Sequence, residues 1–244
     1  MKISIAIPTY EMGGFGPQYL RELFDTINGQ TFKDFEVCIS DHSKNDFILK
    51  VCEEYSGEFK IQYYKNQEHL GNGPANTNSV MEMCSSPYTK LMFSDDLFIN
   101  KKSLEIIVST FEDSDCKWIL NGFKHTSDGK HFVRPMIPRW TDMMLEGRNL
   151  LGSPSGLSFR TDKSVEFDTR LKLLMDTDFY HRMRCKNGMP KIISEYLTAN
   201  REHQNRISSS NVNYNYMFDH PEGSWVVNKE ELDYVLEKNK NNVY

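Results

Sequence analysis

The feature that most constrains this 244-residue chain is a regular alternation over residues 2–93, where short apolar runs rich in Val, Ile, Phe and Tyr take turns with longer amphipathic stretches. Such alternation is the signature of repeated strand–helix units, which close as a parallel sheet with helices packed on it. Strands are expected at residues 3–7, 35–40, 59–64 and 88–93, and helices at 17–28, 47–55, 74–84 and 103–111. Parallel strands joined by right-handed crossovers gather ligands at their carboxyl ends. That rule selects Thr9, Tyr10 and Glu11 after the first strand, Asp41 after the second, and Ser94, Asp95 and Asp96 after the fourth.

Past residue 123 the rhythm changes. An Asp-Gly turn is expected near residues 125–130 and a Pro-containing loop at 134–140. A short helix at 141–146, a strand at 156–160, a helix at 172–186 and a strand at 191–194 would complete the core, with a mobile polar stretch at 205–215 and a terminal helix at 229–238. The composition, 39% hydrophobic and 26% charged, is that of a folded soluble chain. A net charge of −5 with no long basic run leaves no electrostatic footprint for nucleic acid and suits a site that collects a divalent cation. Five scattered cysteines give neither a zinc spacing nor a disulfide framework. The apolar run ending at Pro8 is too short for a signal peptide or a membrane span. A cytoplasmic protein is expected, with peripheral membrane association left open.

Chemistry concentrates in a few places. Asp95 and Asp96 are adjacent carboxylates following an apolar strand. Their mutual repulsion is relieved by a hard cation such as Mg²⁺ or Mn²⁺, which also grips phosphate oxygens. An isolated Asp pair more often caps the next segment, but position after a core strand favours the cation. Asp176 and Asp178 stand near a helix start at a spacing that puts them on different faces. One is therefore free to face a cleft as a base while the other caps the helix or pairs with Arg182, although an N-cap is the commoner role for either alone. His203 is either a solvated surface imidazole or a metal ligand. The loop Gly13-Gly14-Phe15-Gly16 would let backbone approach a phosphate, yet it lacks a P-loop ending.

Taken in order, these segments resemble the family 2 glycosyltransferases, which have the GT-A fold. The resemblance runs from Ile5-Ala6-Ile7-Pro8-Thr9-Tyr10, through Ser40-Asp41-His42-Ser43 and Asn72-Gly73-Pro74-Ala75-Asn76, to Phe93-Ser94-Asp95-Asp96. It continues in Pro154-Ser155-Gly156, Phe167-Asp168 and Met175-Asp176-Thr177-Asp178. The first acidic position of the metal motif is absent, with Phe93 or Ser94 in its place, and Met175 replaces a common acidic residue. The implied fold is a Rossmann-like, mostly parallel central sheet flanked by helices, with a smaller sheet region on the acceptor side. It would fill residues 1–204, with a nucleotide-binding half to about residue 100 and an acceptor half beyond. Residues 205–244 would form a polar loop and a helix packed on the same domain.

The resemblance also implies roles. Pro8, Thr9, Tyr10, Glu11, Asp41, Asn72, Asn76 and Asp95 would bind a nucleotide-sugar donor, preferably a UDP-sugar. Asp96 and His203 would hold Mn²⁺ or Mg²⁺, and Asp176 would take the proton from the hydroxyl of a saccharide, lipid-linked saccharide or protein acceptor. The reaction would be a single displacement with inversion, in glycan or surface polysaccharide biosynthesis. Two rivals remain open: a non-catalytic nucleotide-sugar-binding protein, suggested by the two missing acidic residues, and a sugar nucleotidyltransferase, for which the glycine loop lacks the needed basic neighbours.

Overall fold

Strand β1 (Ile3–Thr9) alternates its side chains between two cores: Ile3, Ile5 and Ile7 enter one and Ala6 the other. A strand buried on both faces needs helices on both faces. The computed structural model describes residues 1–204, 206, 216–221 and 223–240. In chain order β1 is followed by α1 (Gly16–Asn28), β2 (Phe35–Asp41), α2 (Phe47–Glu54), β3 (Ile61–Lys65), α3 (Gly73–Met83), β4 (Tyr88–Leu91), β5 (Leu97–Phe98) and α4 (Ser103–Glu112). Then come β6 (Trp118–Thr126), β7 (Val133–Met136), β8 (Leu157–Arg160), α5 (Met175–Asn187), β9 (Lys191–Arg201), β10 (Tyr216–Phe218), β11 (Trp225–Val227) and α6 (Lys229–Asn239).

Among the described residues, the main sheet has nine strands in the order β3-β2-β1-β4-β8-β6-β9-β5, with β7 paired to β6. The first four run parallel, and β6 and β9 are parallel to each other. β8 is inserted antiparallel between β4 and β6. The β1–β2 register sets Thr9 opposite Asp41, so both strands end level. α1, α2 and α4 cover one face, while α3, α5 and α6 cover the other. α1 does so with Leu20, Leu23, Phe24 and Ile27, the three- and four-residue spacing of an apolar stripe. β10 and β11 form a small separate antiparallel sheet. The expected architecture, a mostly parallel sheet flanked by helices with a smaller sheet beside it, is therefore the one observed.

The structure differs from the sequence expectation at several boundaries. β3 begins at Ile61, because Phe59 packs edge-on against Phe24, ring centroids 5.3 Å apart, instead of joining the ladder. β4 stops at Leu91, leaving Phe93–Asp96 as a turn closed by Asp96 N–H donating to the Phe93 carbonyl at 3.0 Å. Residues 142–146 form only a 3₁₀ turn, and α5 starts at Met175, so Asp176 falls in its first turn. β9 runs seven residues beyond the expected strand, to Arg201, and pairs with the unforeseen short β5. The 205–215 stretch, Arg206 excepted, lies outside the described residues.

Candidate functional site

The carboxyl end of β1, the turn after β4, the start of α3, the start of α5 and the end of β9 surround one cavity. Pro8, Thr9, Tyr10, Asn76, Asp95, Asp96, Asp176 and His203 all line it, so most of the residues singled out from sequence come together. Glu11, Asp41 and Asn72 do not line it. The Glu11 carbonyl closes the turn before α1 by accepting Gly14 and Gly16 N–H at 2.8 and 2.9 Å. Gly16 is required there, because a Cβ would stand 2.2 Å from the Tyr10 carbonyl oxygen. Asp41 is fully buried and already engaged: it accepts Tyr63 Oη–H at 2.7 Å and Ser43 N–H at 2.8 Å, with Lys65 Nζ at 3.3 Å. Asn72 caps α3 by accepting Ala75 N–H at 2.9 Å, and its amide donates to the Thr169 carbonyl at 2.8 Å.

Asn76 is a strut between elements. It accepts Ser40 Oγ–H at 2.7 Å and donates to the Thr9 carbonyl at 3.1 Å, which ties α3 to the ends of β1 and β2. In the same lining, Asp96 Oδ1 accepts the Arg201 backbone N–H at 2.8 Å, and Ser153 Oγ stands 3.5 Å from Oδ2. Arg201 is nearly fully buried. Its guanidinium donates to the Asp95 carbonyl at 2.8 Å and to Glu22, and lies over the Tyr19 ring. The His203 ring nitrogen Nε2 pairs with Asp95 Oδ2 at 2.9 Å. The imidazole therefore meets Asp95, the neighbour of Asp96. Burial, reinforced by the neighbouring Asp95 charge, holds the Asp96 carboxyl well above the usual carboxylate range.

Asp176 joins the same lining from the first turn of α5. It is half-buried, and burial alone pushes its carboxyl up to about 7. Asp178, two residues on, points away and is fully buried against Arg182, its i+4 neighbour, at 2.7 Å. The two aspartates thus divide as their spacing requires, one into the cavity and one into an ion pair.

Several lining residues carried no signal in the sequence: Lys172, Ser153, Asn200, Arg201 and Arg206. Asn200 and Arg201 belong to the part of β9 that the hydrophobic pattern hid. Thr9 Oγ1 and Asn200 Oδ1 are buried on the cavity wall without a hydrogen-bond partner among the described residues. Leaving such a group unpaired costs about 1–3 kcal/mol. That cost is recovered when a polar ligand enters.

Among the described residues, no group of three or more His, Cys, Asp or Glu side chains is set to hold a metal ion by itself. The oxygen-rich pair Asp95–Asp96, with one imidazole, nonetheless has the donor chemistry for a hard cation that takes its remaining ligands from phosphate and water. Mg²⁺ sites are commonly built in this way. The strained electrostatics of Asp96 fit the same ion, since a divalent charge relieves both the desolvation and the repulsion from Asp95.

The sequence model described as glycosyl transferase family 2 matches residues 4–187. An uncharacterized glycosyltransferase of Methanocaldococcus jannaschii is 24% identical over 220 residues, covering 82% of this chain and 70% of that protein. The crystal structure of S. aureus TarS 1-349 in complex with UDP-GlcNAc superimposes with a TM-score of 0.69 at 20% identity, over 87% of this chain and 62% of that one. A mannosyltransferase of Pyrobaculum calidifontis, in complex with GDP-Man and Mn²⁺, superimposes with a TM-score of 0.61 at 12% identity, over 82% and 56% of the two chains. The chain thus spans less than two thirds of either structure.

Proposed function

This chain belongs to glycosyl transferase family 2, and from that premise we propose that it moves a sugar from a nucleoside-diphosphate carrier to a hydroxyl acceptor, with inversion at the anomeric carbon. The observation that carries this reading is the meeting of Asp176 with the Asp95–Asp96 pair in the lining of one cavity. Asp176 is the base: its carboxyl, raised to about 7, is a better proton acceptor than an ordinary carboxylate and still ionised in substantial part at neutral pH. A positioned base of this kind contributes about 10²–10⁴-fold in rate.

On the donor side, Pro8, Thr9, Tyr10 and Asn76 form the wall against which the nucleotide lies, and the unpaired Thr9 hydroxyl and Asn200 amide oxygen offer it hydrogen bonds. Glu11, Asp41 and Asn72 act through the backbone turns they hold around that wall. Asp95 and Asp96, with His203 turned from Asp95, would hold Mn²⁺ or Mg²⁺. When bound, that ion supplies positive charge to the departing diphosphate. UDP is the proposed carrier, a choice supported by the UDP-GlcNAc complex of TarS. The acceptor is a saccharide, free or lipid-linked, or a protein, in the assembly of a glycan or surface polysaccharide. No helix among the described residues is long and apolar enough to cross a membrane.

The test is calorimetric titration of UDP, GDP and dTDP with and without Mn²⁺, comparing wild type with Asp96→Ala. Binding of one nucleotide that requires the metal and is lost in the variant supports the assignment. Absence of binding by any nucleotide to folded protein overturns it.

A further inference from the structure

Among the described residues, no hydrogen bond or ion pair holds the Asp176 carboxylate, so its place in the cavity is set by the backbone that carries it. That backbone is bracketed by α6, an element that follows α5 only after β9 and the β10–β11 hairpin. The first turn of α5 has no side-chain cap of its own. A carboxylate from α6 instead grips the segment that leads into that turn: Glu231 Oε1 accepts Lys172 N–H at 3.0 Å, while Oε2 accepts N–H of Leu173 and of Leu174, the N-cap residue, at 2.9 and 3.0 Å. An anion is favourable there because it lies just beyond the helix N-terminus, at the positive end of the dipole, and because the Leu174 N–H at the cap has no partner within the helix. Glu231 is in turn held by its own N–H, which donates to the Asn228 cap at 3.0 Å.

Downstream of Asp176 the same helix grips again. Lys238 Nζ donates to both Asp178 oxygens at 2.9 Å and to Asp168 at 2.8 Å, and the Asn239 amide donates to Asp178 at 3.2 Å. Between the two grips, Leu232 and Val235 pack in one apolar cluster with Leu174, Met175 and Phe179. Asp176 is thus flanked two residues on either side, at Leu174 and at Asp178, by backbone or side chain tied to α6.

We propose that Glu231 is a positioning residue for Asp176, and that α6 is the element that fixes where the acceptor-side base stands. This rests on the reading of Asp176 as the base. Glu231 touches no reacting atom. Its carboxylate determines the path of residues 172–174, which sets both the entry of α5 and the lining contributed by Lys172 and Leu173. Glutamine cannot replace it: only one of its two terminal atoms accepts, so the amide would present N–H to N–H on one side of the bracket.

The experiment uses the full chain and the four variants Glu231→Gln, Lys238→Met, Asp176→Asn and Glu231→Gln/Asp176→Asn, with exposed Glu230→Gln as a control. Nucleoside diphosphate release is measured with the sugar donor that turns over fastest in a panel of UDP-, GDP- and dTDP-sugars, and amide hydrogen exchange is followed at residues 172–174. Glu231→Gln is expected to lower kcat about 10–100-fold, the scale of a misplaced catalytic group, with donor KM within about twofold. Exchange at 172–174 should quicken, and the variant should add no more than about a twofold loss to Asp176→Asn. Lys238→Met should lower kcat in the same direction through the second grip, and so tests the bracket independently should the glutamine variant misfold. Parent-like kcat in Glu231→Gln beside an inactive Asp176→Asn overturns the positioning role alone. Losses that multiply in the double variant, or a KM that rises as kcat falls, do so as well. Parent-like turnover of Asp176→Asn defeats the base assignment, and the positioning role falls with it.

Discussion

Replacing Asp176 by Asn should stabilise the protein, by an amount that grows with pH. The carboxyl titrates at about 7 in the folded chain against a usual value of 3.8, and burial is the cause. Between those two values the folded state holds a proton that the unfolded chain has released. Stability therefore falls as pH rises through that window and levels off above it. At about 1.4 kcal/mol per pH unit, the rise from 3.8 to about 7 corresponds to a ceiling of about 4 kcal/mol. Asp176 is only half-buried and faces an open cavity, so solvent screening reduces the expected effect to about 2 kcal/mol. Asparagine has nearly the same shape and carries no charge, so it escapes the penalty. Urea unfolding of parent and variant at pH 4, 6 and 8, in metal-free buffer, should give nearly equal stability at pH 4 and a variant more stable by about 2 kcal/mol at pH 8. A difference that does not change with pH, or a variant less stable than the parent at pH 8, would refute the reasoning.

With Asp176 as the proposed base, ionised about one-tenth at pH 6 and nine-tenths at pH 8, kcat should rise about tenfold across that interval. A flat profile in single-turnover experiments would exclude Asp176 as the group that ionises. Chelation with EDTA should abolish nucleoside diphosphate release, and Mn²⁺ should restore it in the parent but not in Asp96→Ala. Lys90 is a fully buried lysine whose ammonium donates to Asn121 and to the Ser155 and Leu157 carbonyls. Lys90→Met leaves those oxygens without their donor and should cost about 1–3 kcal/mol in chemical unfolding at pH 6. Gly16→Ala drives a methyl group into the Tyr10 carbonyl, a backbone atom that cannot swing aside, and should destabilise by about 1–3 kcal/mol while disturbing the cavity lining at Tyr10.

The sequence by itself determined the doubly covered parallel sheet, because apolar runs such as Ile3-Ser4-Ile5-Ala6-Ile7 are stable only with a core on each side. It also determined that Asp95 and Asp96 follow a core strand and that Asp176 and Asp178 face different ways, since both conclusions need only local periodicity. Tertiary structure alone decided what those groups meet. The end of β9 is composed of buried polar residues, Thr198, Asn200 and Arg201, which no hydrophobic period reveals. Yet that end holds Asp96 through the Arg201 N–H and delivers His203 to Asp95. Asp41 reads from sequence as an open strand-end acid, and only the neighbouring β3 shows it sealed by Tyr63 and Lys65. The support of Asp176 by Glu231 was equally invisible, because hydrogen bonds across 57–59 positions leave no spacing rule in the chain. Local pattern dictates which elements form and which face each residue takes. The partners of a charged group are dictated by the crossing of distant elements, and around this cavity those partners decide whether a carboxylate is held in an ion pair or left facing the open space.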